Sequence, residues 1–263
     1  MQLAVTALLV GTATGFSLHG SILRSARRQS MNPMMSAVTD EVWSMAPAVR
    51  VQGNTLKTWD IGDESIERVQ VAVKSDGRPV DADIQLWTTP SYIPTKFRVY
   101  TMDGLLRPVN AVLESPVSPK TVAVYNKAAM EFPFDATVAN TGLGKAYDTH
   151  FEGIESNHVQ GGQITSYTFG PEVDSIHVLL KTTERNMKAK IELTQGPNQV
   201  KQVIELYASV GYKNPFYAVI ATPGAVSTVR VINENTVEFP LDAWVLPYET
   251  GSGSEDVVVG GAF

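Results

Sequence analysis

The chain places two pairs of carboxylates in nearly the same setting. Glu131-Phe132-Pro133-Phe134-Asp135-Ala136 recurs as Glu238-Phe239-Pro240-Leu241-Asp242-Ala243. Two carboxylates across a cleft can hydrolyse a glycoside, one held neutral as acid and the other ionised. That chemistry needs unlike environments for the two groups. A duplicated motif supplies like ones. Turn chemistry accounts for it more simply: Pro fixes φ, and Asp accepts backbone N–H bonds. No catalytic residue is therefore assigned. Glu131, Phe132, Pro133, Asp135, Glu238, Phe239, Pro240 and Asp242 are expected to form a repeated structural corner.

Other chemistry is sparse. There is no Cys, which excludes disulfides, thiolate catalysis and Cys-ligated zinc. His150 and His158 stand eight apart with Glu152 and Glu155 between them, which is not a recognised metal-ligand spacing. They are expected to be solvated loop histidines. His177 alternates with Ile176 and Val178, so it points away from the apolar side of its strand. No Gly-x-Ser-x-Gly elbow and no phosphate-cradling glycine loop occurs. No metal and no cofactor is expected. Trp59, Trp87, Tyr92 and Tyr212 are candidate aromatic platforms for a carbohydrate-binding module. Trp87 aligns with Thr194, so such a platform is not repeated.

The elements that position these residues repeat as well. Lys74 and Lys181, Ile84 and Ile191, Tyr100 and Tyr207, and Asp135 and Asp242 are all separated by 107 residues (181 − 74, 242 − 135). Near the start of each copy, Leu56 answers Ile164 with an offset of 108 (164 − 56). The copies span residues 53–139 and 161–246. Inside them the apolar period is two, as in Val69, Val71 and Val73 against Ile176, Val178 and Leu180. Turn residues such as Asp76-Gly77-Arg78-Pro79 and Asp103-Gly104 separate the runs. The pattern predicts a mainly β protein of two tandem, pseudo-twofold-related, sandwich-like repeats with about six strands each. Residues 198–207 also have helical spacing. The equivalent stretch carries Pro94, which would cost a helix interior roughly 3 kcal/mol, so both copies are expected to be strands here. Residues 140–160 read as a Gly-rich linker with one turn of structure, and residues 31–52 as an N-terminal arm.

The two termini differ from the repeats. Residues 3–10 are an apolar run too short to span a bilayer. An acid-free, Ser-rich stretch with Arg24, Arg27 and Arg28 follows it. Residues 1–30 thus have the composition of two targeting segments in series, or of a secretory signal with a basic pro-segment. Phe16 after Ala13-Thr14-Gly15 resembles the Phe after the signal cleavage point in bipartite plastid presequences of diatoms. Removing those three Arg takes the formal charge from -6 to -9 (−6 − 3). That balance disfavours nucleic acid and anionic membrane as partners. Residues 247–263 read as a flexible tail. It ends in Val257, Val258, Val259 and Phe263, a candidate to add a strand to a sheet edge of its own chain or a neighbour.

Together the doubled Glu-Phe-Pro-x-Asp-Ala module, the plastid-type presequence and the short apolar tail resemble the diatom pyrenoid shell (PyShell) proteins. The resemblance implies a non-enzymatic structural protein at the pyrenoid periphery of the plastid stroma. It implies self-assembly into a homo-oligomeric sheet or tube around the Rubisco matrix, met directly or through a linker, in support of carbon dioxide fixation. From the residues alone, a tandem β-sandwich binding module or a carboxylate hydrolase remains the alternative.

Overall fold

A computed structural model describes residues 37–89, 92–114, 118–197 and 199–251. The first repeat supplies α1 (Ala37–Met45), β1 (Val49–Val51), β2 (Leu56–Ile61), β3 (Arg68–Lys74), β4 (Val80–Thr88), β5 (Tyr92–Thr101), β6 (Val109–Glu114), β7 (Lys120–Asn126) and β8 (Phe134–Ala139). The second supplies α2 (Gly142–His150), β9 (Asn157–Val159), β10 (Ile164–Phe169), β11 (Val173–Lys181), β12 (Met187–Gln195), β13 (Val200–Ala208), β14 (Phe216–Ala221), β15 (Ser227–Asn233) and β16 (Leu241–Thr250). Each repeat has eight strands rather than six. One addition in each copy is the three-residue strand β1 or β9, too short to show a period. The segment 140–160 holds α2 and β9, more structure than its Gly content suggests.

All strand pairs are antiparallel. They build two eight-stranded sheets, β1-β8-β3-β6-β14-β11-β16-β9 and β10-β15-β12-β13-β5-β4-β7-β2. Each repeat gives four adjacent strands to each sheet. The repeats meet edge to edge, β6 against β14 and β5 against β13. The mainly β, two-sheet sandwich expected from the sequence is what forms, and its repeats share their sheets. The ambiguous stretch is indeed strand β13. Pro94 sits in β5 beside the register shift between Leu86 and Thr88, where a missing N–H breaks no ladder bond.

The seam has a geometric property. An antiparallel join about a twofold axis brings one residue of each strand opposite its own counterpart. In one sheet that pair is Ala111 and Ala218, in the other Arg98 and Glu205, each 107 apart (218 − 111, 205 − 98). Two Ala close the first seam without steric demand. At the second, a retained charge would face its like, which is destabilising. The sign is reversed instead. Asp83, Arg98, Glu205 and Lys190 lie in register across β4, β5, β13 and β12, alternating in charge on the outer face.

The inward positions keep their type across the repeat. Ala82, Ile84 and Leu86 of β4 correspond to Ala189, Ile191 and Leu193 of β12, all buried in one core that spans both repeats. Each fully buried Leu or Ile contributes about 1.5–3 kcal/mol. Phe97 of β5 meets Phe216 of β14 edge to face at 5.2 Å between centroids, tying the two sheets together at the seam. The outer face of the β1-to-β9 sheet is covered by helices. Helix α1 packs on β8 and β3, and α2 on β3 and α1. The side chain of Thr141, at the N-terminus of α2, donates to Gln70 Oε1 at 2.6 Å and so does not cap the helix. Glu41 of α1 caps it instead, accepting the Gly142 N–H at 2.8 Å. Among the described residues, no helix is long and apolar enough to cross a membrane.

A shared core makes the repeats one folding unit. Phe216→Ala should cost about 3–5 kcal/mol and leave a single urea transition, read by both fluorescence and circular dichroism. Two separated transitions would show that the repeats fold independently.

Candidate functional site

The repeated corner begins seven residues before Pro133 and Pro240, at Asn126 and Asn233. Both are fully buried at the ends of β7 and β15. Asn126 Nδ2 donates to the carbonyls of Val51 at 3.1 Å and Phe132 at 2.9 Å, and its Oδ1 accepts the Ala128 N–H at 3.0 Å. Asn233 repeats this with Val159 at 3.0 Å, Phe239 at 2.8 Å and the Asn235 N–H at 3.1 Å. Each carboxamide therefore holds an edge strand, the far side of a turn and the turn's own start. The backbone joins in, because Asn126 exchanges bonds with Asn54 and Thr55, and Asn233 with Gly162 and Gln163. A Cβ at Gly53 would collide with the Ala129 carbonyl, and one at Gly161 with the Thr236 carbonyl. Glycine alone permits this close approach.

Within the corner, Glu131 and Glu238 are exposed, and Phe132, Pro133, Phe239 and Pro240 are half-buried. The Asp residues do not cap the turn. Asp135 lies on β8 opposite Arg50 of β1, with Nη1 3.2 Å from Oδ1. Asp242 lies on β16 opposite His158 of β9, with Nδ1 3.0 Å from Oδ1. The acid and the basic partner recur at equivalent positions (158 − 50 = 108, 242 − 135 = 107), so each repeat clips its outermost short strand with a cross-strand contact between an Asp and a basic side chain. The basic partners lie outside the motif, which is why the sequence suggested backbone partners for Asp. Glu238 is held below the usual carboxylate range by the Thr236 hydroxyl, opposite to what a general acid needs. Asp135 on β8 and Asp242 on β16 are separated within one sheet by β3, β6, β14 and β11.

The histidines separate. His158 is a strand residue in the clip just described. His177 does point away from the interior core, as expected, yet it is buried, because His150, which ends helix α2 rather than lying in a solvated loop, and Phe151 just after it cover that face. Its ring lies 4.5 Å from Phe151, 5.3 Å from Tyr248 and 5.4 Å from His150, between centroids. Burial first, and His150 second, push its pKa down to about 4. The counterpart Gln70 is also buried and donates to Asn110 Oδ1 at 2.9 Å and to the Thr39 carbonyl at 3.0 Å. The same place in the sheet is thus filled by an aromatic cluster in one repeat and an amide network in the other. Among the described residues no group of three His, Cys, Asp or Glu side chains could hold a metal ion.

The proposed aromatic platform is also divided. Trp59 packs against the interior core. Trp87 lies on the outer face, its Nε1 donating to Gln85 Oε1 at 3.0 Å, in a shallow hollow of about 350 Å³ beside Asp60 and Thr121. Tyr92 and Tyr212 are exposed on neither of those surfaces, at a strand start and in a loop. Val257, Val258, Val259 and Phe263, like the presequence, fall outside the described residues.

The class defined by this architecture is a tandem-repeat β-sandwich whose most prominent polar clusters are internal clamps. A family model described as diatom pyrenoid shell protein matches residues 43–247, and the chain belongs to that family. A comparison with curated proteins finds no match.

Two measurements check these assignments. Asn126→Ala or Asn233→Ala strands buried carbonyls and should cost about 2–4 kcal/mol in urea denaturation. Asp135→Asn removes a half-exposed ion pair and should cost at most about 1 kcal/mol. The second concerns pH. His177 in the folded chain protonates near pH 4, but at its ordinary value of 6.5 when unfolded. Between those limits the unfolded chain binds more protons, so stability falls as pH drops from 6.5 towards 4. The loss is on the order of 3 kcal/mol. His177→Gln, which installs the residue found at position 70, should flatten that part of the pH–stability curve.

Proposed function

We propose that this chain is a non-enzymatic structural subunit that tiles with copies of itself into a protein sheet. The sheet encloses the Rubisco-containing pyrenoid of a diatom-type plastid, at the pyrenoid periphery in the stroma. It supports carbon dioxide concentration and fixation, and meets the Rubisco matrix directly or through a linker. Membership of the pyrenoid shell family supports this reading.

The observation that carries it is a repeated exposure of large apolar side chains. Leu56 and Ile164, Ile93 and Val200, Leu105 and Tyr212, and Met130 and Val237 are all exposed. Within each pair the residues are 107 or 108 apart, hence equivalent. Solitary exposed apolar residues are ordinary, but the same positions twice over are not. They lie on two opposite rims of the slab. On one rim, Val80 pairs with Thr101 and Ala82 with Asn126, and the Met102 N–H reaches Lys201 O at 3.0 Å. This gathers Leu56, Leu105, Met130 and Val200, with exposed Met102 between them. On the other rim, the Ser209 N–H reaches Pro94 O at 2.8 Å, gathering Ile93 and Tyr212 with Tyr92 beside them, and Ile164 and Val237 follow by equivalence.

A rim of one copy set on the opposite rim of the next is a heterologous contact. Such a contact does not close a ring when it is repeated by translation, so it propagates.

Negative-stain electron microscopy of residues 31–263 tests the proposal. Extended sheets or tubes are expected. A monomer that stays dispersed across protein and salt concentrations would overturn it. The paired variant Leu105→Glu, Tyr212→Glu should raise the protein concentration needed for assembly at least about tenfold without shifting the thermal melt.

A further inference from the structure

Strand β10 is the least protected edge in the molecule. Its six residues, Ile164-Thr165-Ser166-Tyr167-Thr168-Phe169, include no charge and no Pro. Among the described residues it pairs with β15 alone. Long open edges are usually blunted by Lys, Pro or a covering segment, because unpaired N–H and C=O groups recruit other strands. Its equivalent β2 is blunted by Lys57 and Asp60. Edges β1 and β9 are protected by being three residues long. Among the described residues only β10 has neither device.

The chain delivers a suitable cover to that place. The Gly251 N–H donates to the Glu172 carbonyl at 2.7 Å. Glu172 belongs to the turn between β10 and β11, three residues beyond Phe169. Residues 252–256 follow, then Val257-Val258-Val259. A triplet of β-branched residues suits a pleated edge. A strand next to β10 would lie two strand spacings outward from β16 and one sheet spacing across. With strands about 4.8 Å and sheets about 10 Å apart, that is about 14 Å. Five extended residues reach about 17 Å. A segment that enters at the Phe169 end and runs towards Ile164 is antiparallel to β10, as every other pair in the sheet is.

We propose that Val257-Val258-Val259 of the same chain adds to the edge of β10 as a ninth strand of that sheet. The short tether gives the segment a high effective concentration at its own edge, ahead of any neighbour's. The cover breaks the equivalence of the two ends of the slab. The β2 end stays open, and the β10 end presents a strand that the first repeat has no means of supplying. This arrangement does not depend on sheet assembly and is tested on dispersed chains.

The test is amide hydrogen exchange by mass spectrometry at concentrations too low for assembly. Three chains are compared: the full chain, a chain ending at Gly251, and the full chain carrying Val258→Pro. Pro removes one ladder donor and cannot disturb the described fold from position 258. The outward amides of β10 are expected to exchange at least about tenfold faster in both variants, with β2 unchanged as the internal control. Equal β10 exchange in all three chains overturns the proposal. So does a loss of protection at β2 instead, or a β10 protection that grows with protein concentration, which would assign the cover to a neighbouring copy. Should the shortened chain fail to fold, the Val258→Pro comparison alone decides.

Discussion

Each repeat depends on one buried carboxamide. Asn126 and Asn233 occupy positions where a strand, the turn that leaves it and the outermost strand of the other sheet come together. A carboxamide offers two donors and an acceptor within a compact, uncharged group. A carboxylate there would face two carbonyls without a proton to give, and an aliphatic residue would strand all three partners. The rest of the corner follows from this choice. The glycines at 53 and 161 let the backbone pass, Pro133 and Pro240 fix the exit, and the Asp–Arg and Asp–His clips finish the edge from outside. The two sheets are closed against each other at both ends by the same device.

That closure leaves the molecule with faces of different character. One face carries α1 and α2 over a layer of buried polar and aromatic groups. The other, among the described residues, carries no helix and is set with alternating charges. Between them run rims with recurring apolar side chains.

Much of the fold was legible because duplication adds evidence. A single copy of residues 198–207 is consistent with a helix, and Pro94 in the other copy removes that choice. The fixed offset of 107 likewise marked the corner as structural before any coordinates. Other parts were hidden for identifiable reasons. Strands β1 and β9 have three residues each, fewer than two periods of alternation. Helix α2 contains two glycines and takes its cap from Glu41, 101 residues away in sequence. The burial of His177 could not be foreseen, since the strand pattern gives the side on which it lies and not what covers that side. Asn126 and Asn233 stood in plain view at the head of the repeat. Their signal was an identical, uncharged polar residue continuing the inward alternation of Val122 and Val124 in one strand and of Val229 and Val231 in the other.

The pair Arg98 and Glu205 bears on how such a chain arises. Suppose the two halves were once separate, identical subunits joined about a true twofold axis. Whatever stood at position 98 then faced a copy of itself across the seam. An arginine would have met an arginine, and a glutamate a glutamate. Only a neutral residue satisfies that geometry. Fusion into one chain lifts the requirement, because the two positions are then encoded separately and can diverge. The row Asp83, Arg98, Glu205 and Lys190 is a charge pattern that no symmetric dimer can encode. On that supposition it can only have arisen after the halves became one polypeptide, and it favours a register that a dimer would have had to hold by shape alone.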